Sequence, residues 1–271
     1  MKPRSGHPAW AIPESLAIVL LAAALFRAVY FFFYARDSIF FDGLILDSAV
    51  YDSWAGRIAA AEWLGRQAFY FPPLYPYLLA LLFRSAGPSL ALVYLLQALL
   101  GLVNLVLIHR IGAALFGPRV GILAAAGAAL YGPFAFFEMK VLGTTLGLTL
   151  NLAALALLVA AESAAAGGGR GVRGRWLLAG LAIGIAAACQ PGTVLLGPLY
   201  AGSLAWRRAT PAAAALLLGT VLGLLPVTAH NLYVAGDLLP LSGQGGTTFY
   251  QGNNPSAAGM YNVAPGFSGA P

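Results

Sequence analysis

Nine carboxylates stand in this 271-residue chain, and three of them, Asp47, Asp52 and Glu62, fall within residues 47–83. The same stretch carries Trp54, Trp63, four tyrosines and a Pro72-Pro73 step. Carboxyls are acid–base groups, and an acidic, aromatic segment inside an apolar chain is where polar chemistry would sit. Residues 47–65 have helical spacing, which places Asp47, Tyr51, Trp54 and Ile58 on one face. At roughly 100° per residue, Asp52 points about 140° away from Asp47. Helix geometry alone therefore does not bring these two carboxylates to one site.

The elements that must position these groups are membrane spans. The chain is 60% hydrophobic and 9% charged, against roughly 25% charged for a soluble domain. The composition predicts an all-α polytopic membrane protein, one transmembrane domain over residues 1–271. The formal charge of +6 does not indicate nucleic acid, because the basic residues sit between apolar spans, as positive-inside topology requires. One cysteine, Cys189, leaves no internal disulfide and no cysteine zinc site, and the three histidines lack ligand spacing.

Taken in order, residues 1–13 are short and basic through Lys2 and Arg4, so they stay cytoplasmic. The first span, about residues 11–34, is too long for a cleaved leader and reads as a retained anchor. Its Arg27 either snorkels to the interface or faces a polar cleft. A first external loop covers residues 36–87. Within it, residues 72–83 make an apolar run of a dozen, too short for a span and suited to an interfacial helix. Further spans are predicted at about 89–108, 120–137, 141–161 and 212–228, with a cytoplasmic loop at 109–119. The Gly- and Arg-rich residues 162–175 read as a flexible cytoplasmic linker. Residues 176–206 are broken at Gln190-Pro191-Gly192 and flanked by arginines, which predicts two short passes meeting at a polar break on the outer side. Residues 230–271 have the composition of an external ordered loop. With this topology, seven carboxylates lie outside and only Glu14 and Glu162 inside.

Several short motifs now become specific. Asp47-Ser48-Ala49-Val50-Tyr51-Asp52-Ser53-Trp54-Ala55 resembles the acidic D-E-x-R-Y-x-x-x-A motif of the GT-C superfamily, matching at Asp47, Tyr51 and Ala55. Pro72-Pro73-Leu74-Tyr75 resembles the P-P-L-Y step, with Phe71 where a lysine is common. Leu115-Phe116-Gly117-Pro118-Arg119 resembles the L-F-G-x-R turn, Glu138 stands where a second acidic residue is expected, and Gln190-Pro191 replaces a basic residue-Pro step. The chain thus resembles the dolichyl-phosphate-mannose-type branch of that superfamily, which holds protein O-mannosyltransferases, aminoarabinose transferases and bacterial family-39-like proteins. Members of that branch usually continue with more spans, so the resemblance reads this chain as a truncated bacterial member.

The resemblance implies transfer of a sugar from a polyprenyl-phosphate donor to a lipid, glycan or protein acceptor. The reaction would be inverting, at the periplasmic face of a bacterial inner membrane. Asp47 is then the general base, with an N-terminal helix cap as its alternative. Glu138 is a second catalytic carboxylate, or one half of an interfacial ion pair with Lys140. Tyr51, Arg57, Arg66, Tyr75, Lys140 and Gln190 are the substrate- and phosphate-binding set, since guanidinium and ammonium groups suit phosphate and tyrosines stack on sugar. Arg84, Tyr70 and Tyr77 are weaker members of it, with interfacial anchoring as the alternative, and His230 reads as an ordinary interfacial histidine. No cofactor is certain; a divalent metal is compatible with Asp47 and Glu138, and the metal question stays open. A lipid-linked-sugar transporter and a non-catalytic membrane subunit are the competing readings.

Overall fold

In a computed structural model of the chain, residues 13–169, 171–257 and 259 are described. The basic start of the chain with Lys2 and Arg4, the beginning of the first span, Arg170 of the linker and the end of the tail lie outside them. Every regular element among the described residues is helical. Four helices are long and apolar enough to cross a membrane: α1 (Glu14–Asp37), α4 (Leu90–Phe116), α7 (Thr144–Ala166) and α10 (Thr210–Ala235). Between α1 and α4 stand two helices of 13 residues, α2 (Asp47–Ala59) and α3 (Leu74–Ala86). Thirteen residues span only about 20 Å, short of the roughly 30 Å hydrocarbon layer.

The outer faces of α1 leave Ile18, Leu21 and Leu25 exposed, while Leu16, Ala23 and Arg27 turn inward. In a bilayer such faces meet lipid, so their exposure carries no penalty. The last turns of α1 meet the first turns of α4: Tyr34 and Tyr94 pack edge to face, and the Tyr94 hydroxyl donates to Phe41 O at 3.0 Å. The chain thus returns to α4 at the end where it left α1.

Several predicted boundaries shift. The expected loop at 109–119 is helical up to Phe116, and the turn shrinks to Gly117, whose φ of +96° few side chains tolerate. The span expected at 120–137 is two helices, α5 (Pro118–Ala129) and α6 (Gly132–Glu138), bent by 58°. Pro133 is the reason: it has no N–H to give and its ring collides with the carbonyl four residues back. The expected flexible linker at 162–175 is mostly helix, since α7 continues to Ala166 and α8 (Val172–Ala187) begins six residues later.

The break at Gln190-Pro191-Gly192 is present, as a 3-10 turn, Pro191–Leu195, between α8 and α9 (Leu196–Trp206). α8 lies against α10 through four glycines. A Cβ on Gly180 would strike Leu216 O, on Gly184 Thr220 O, on Gly219 Leu177 O and on Gly223 Leu181 O. The spacing Gly180–Gly184 and Gly219–Gly223 is the small-x-x-x-small pattern by which apolar helices associate in membranes. In the tail, expected as loop, α10 runs on through Ala235 and α11 (Gln244–Gly252) follows.

Candidate functional site

Asp47 is the first residue of α2 and lies behind Leu46, whose φ of 52° leucine seldom adopts. The N-cap position is taken by Leu46, so Asp47 is not the capping residue and stands instead as the acidic residue of the first turn, where a carboxylate complements the helix dipole. Tyr51, Ala55 and Ile58 are the buried face of α2 and pack on α3. Tyr51 meets Tyr75 edge to face at 5.4 Å, and burial pushes the Tyr51 phenol well above its ordinary value of 10.0. Both tyrosines therefore form part of the packed floor under α2, and Tyr75 is 2% exposed.

Tyr75 connects that floor to the opposite wall. Its hydroxyl donates to Gln97 Oε1 at 3.1 Å. Gln97 Nε2 in turn donates to Glu138 O at 2.9 Å and Lys140 O at 2.8 Å. One buried amide on α4 thus fixes the turn after α6, where five residues, 139–143, stand outside the helices.

Glu138 and Arg27 are 1% and 3% exposed. Arg27 Nε lies 2.7 Å from Glu138 Oε2 and Nη2 lies 2.8 Å from Oε1, a two-pronged pair, and Nη1 also donates to Ala23 O at 3.3 Å. The snorkelling reading of Arg27 fails because a buried carboxylate is within its reach. The Glu138–Lys140 ion pair fails with it. The room for Glu138 comes from Gly101, where a Cβ would occupy the carboxylate's place.

Lys140 turns the other way, into an aromatic surround. Its Nζ lies 5.1 Å from the Tyr34 and Phe40 ring centres and 5.0 Å from that of Phe136. It donates to Tyr34 Oη at 3.3 Å. Aromatic faces hold a cation without neutralising it. Lys140 and Asp47 line one cavity of about 500 Å³, together with Ser48, Tyr94 and Gly43.

The other predicted residues fall elsewhere. Arg57 and Arg66 line a cavity of about 910 Å³ on the far flank of α2, walled by Trp54, Trp63 and Phe69. Glu138 and Gln190 line a third cavity, of about 800 Å³, with Asn104, Asn151 and Thr193. The residues singled out in the sequence are therefore divided among three cavities and a buried floor. Among the described residues, no three His, Cys, Asp or Glu side chains gather as a metal ligand set.

The loop before α3 is fixed by the tail. Asn231 Oδ1 accepts from Phe69 N at 2.9 Å, and its Nδ2 donates to Leu239 O and Leu241 O. His230 stacks on Phe69 at 3.7 Å and lies 2.7 Å from Leu64 O through Nε2, so it is a clamp rather than a plain interfacial residue. Arg84 stacks over Trp63 at 5.8 Å, and the Tyr77 hydroxyl donates to Trp63 O. Sequence reasoning missed Gln97, Gly101 and Asn231; a buried amide or glycine in an apolar run was the available signal.

These features define a helical membrane protein with a cavity-bearing polar end. The family of dolichyl-phosphate-mannose-protein mannosyltransferases matches residues 71–233, more than half of the 271 residues. The chain belongs to this family, and is a membrane glycosyltransferase of the GT-C type. The matched stretch takes in Tyr75, Glu138, Lys140 and Gln190 and begins after Asp47, Tyr51, Arg57 and Arg66. No curated protein and no solved structure matches the chain.

Proposed function

We propose that the protein transfers a sugar from a polyprenyl-phosphate donor to a hydroxyl acceptor at the periplasmic face of a bacterial inner membrane, with Asp47 as base. The observation that carries this reading is the shared cavity: Asp47, a carboxylate without a hydrogen-bond or ion-pair partner among the described residues, lines it with the Lys140 ammonium. The acceptor's O–H proton goes to Asp47 as its oxygen bonds to the anomeric carbon. The bond from that carbon to the phosphate oxygen breaks on the opposite side, and the electron pair leaves with the phosphate. Lys140 stabilises the charge that develops there. The configuration inverts, because attack and departure are in line.

In this reading Glu138 is a positioning residue. It anchors the turn that carries Lys140, through Arg27 on one side and Gln97 on the other. Arg57 and Arg66, across α2, hold negative charge on whichever substrate extends that way. Gln190 lines the third cavity and not the one shared by Asp47 and Lys140.

The test is turnover with a labelled polyprenyl-phosphate sugar in reconstituted membranes. Asp47→Asn is expected to lower kcat by about 10²–10⁴-fold, the worth of a positioned base. Lys140→Gln is expected to lower kcat/KM by about 10²-fold through lost charge stabilisation. Unchanged turnover in Asp47→Asn removes Asp47 as base.

A further inference from the structure

The third cavity has a composition of its own. Its polar wall is made by Asn104 on α4, Thr145 and Asn151 on α7, and Gln190 at the α8–α9 break. Asn151 Nδ2 donates to Gln190 Oε1 at 2.7 Å, and Thr193 Oγ1 donates to Asn151 Oδ1 at 2.9 Å, so these amides are held in place. Asn104 is different. It is 2% exposed and lines the cavity, yet its Oδ1 has no hydrogen-bond partner among the described residues. A buried amide oxygen left alone is costly, and it needs a donor from something that enters.

The remaining wall is apolar and aromatic: Phe134 and Phe137 on α6, Leu148 on α7 and Leu196 on α9. Around it, Leu130, Tyr131, Leu195 and Leu199 are exposed. None of the lining residues is basic. The one lining carboxylate, Glu138, is neutralised by its two-pronged contact with Arg27. A phosphate would find no free cation here, and burying it unpaired is prohibitive. Hydroxyl groups would find amide and hydroxyl partners, and the flat faces of a sugar suit aromatic rings.

We infer that this cavity, formed by α4, α6, α7 and the α8–α9 break, binds the uncharged, hydroxylated headgroup of an amphiphile, a neutral glycolipid. Its alkyl chain leaves past α6 and the Pro191–Leu195 turn. The inference is independent of the Asp47–Lys140 cavity. The turn from Glu138 to Thr144 lies between the two, with Met139 to Leu142 lining one and Thr144 and Thr145 the other.

The experiment is photolabelling of the full chain in lipid nanodiscs with an octyl mannoside that carries a diazirine on its alkyl chain. Labelled peptides are then mapped by mass spectrometry. Label is expected on Phe134, Leu148 and Leu196, reduced by excess octyl mannoside and not by octyl phosphate. Thr145→Val, close in shape, and Asn104→Leu are each expected to weaken it by about fivefold, a single hydrogen bond's worth. Thermal unfolding of each variant verifies that it is folded. Asp47→Asn and Lys140→Gln are expected to leave the labelling unchanged, which separates this cavity from the proposed transfer site. Equal competition by octyl phosphate, label spread over all lipid-facing helices, or full labelling in both folded cavity variants overturns the inference.

Discussion

Arg27 and Glu138 bring two charges into an apolar bundle, and each is tolerable only because of the other. Removing one leaves an uncompensated buried charge, which costs about 3–5 kcal/mol. Glu138→Gln is therefore expected to lower the thermal midpoint in detergent sharply. The double replacement Arg27→Met with Glu138→Leu should recover most of the loss, because apolar residues of similar volume substitute well for a buried pair. At Asp52, burial raises the carboxyl above its ordinary value of 3.8. A carboxyl with a raised folded pKa holds its proton more tightly when folded. Its favourable contribution is present at low pH and is lost as pH rises through 3.8 and the higher folded value. Asp52→Asn should thus be slightly more stable than the parent at neutral pH, and the difference should vanish in acid; pH-resolved melting curves measure both.

Among the elements, α8 and α10 approach each other backbone to backbone. The backbone of each fills the space that a side chain on the other would need. Gly219→Val drives a branched side chain into Leu177 O, and overpacking of this kind costs about 1–3 kcal/mol. The expected result is a lower midpoint in detergent melts, with Gly202→Val, whose Cβ would meet open space, as the silent control. The α5–α6 bend does a different task. It turns Glu138 inward toward Arg27 and leaves the following turn to Gln97, so Lys140 faces the Asp47 cavity.

The whole molecule has two unlike ends. One gathers α2, α3, the end of α10 and the break after α8, where Leu74 N donates to Ala188 O. The other gathers Arg110, Arg119, Arg173 and the Arg207–Glu162 pair, held at 2.6 Å. If the bundle spans a bilayer, the two ends lie on opposite sides. In a Cys189→Ala background, Ser53→Cys and Arg110→Cys are expected to react with a membrane-impermeant maleimide from opposite sides of sealed vesicles. Labelling of both from the same side contradicts this arrangement.

Composition alone determined the all-helical membrane class, because a chain this apolar can satisfy its backbone in lipid only by internal hydrogen bonding. The short apolar run at 72–83 and the break at Gln190 were legible too, since length and proline act locally. The family resemblance rested on motifs that the sequence displays directly. The partition of the site did not show there. Asp47 with Lys140 and Glu138 with Arg27 are pairings set by side-chain direction across elements far apart in sequence. Arg27 and Glu138 are 111 residues apart, and only packing of α1 on α4 and the bend at Pro133 brings them together. Helical period predicts which residues share a face of one helix; which faces meet is decided by glycine contacts, kinks and buried amides acting together.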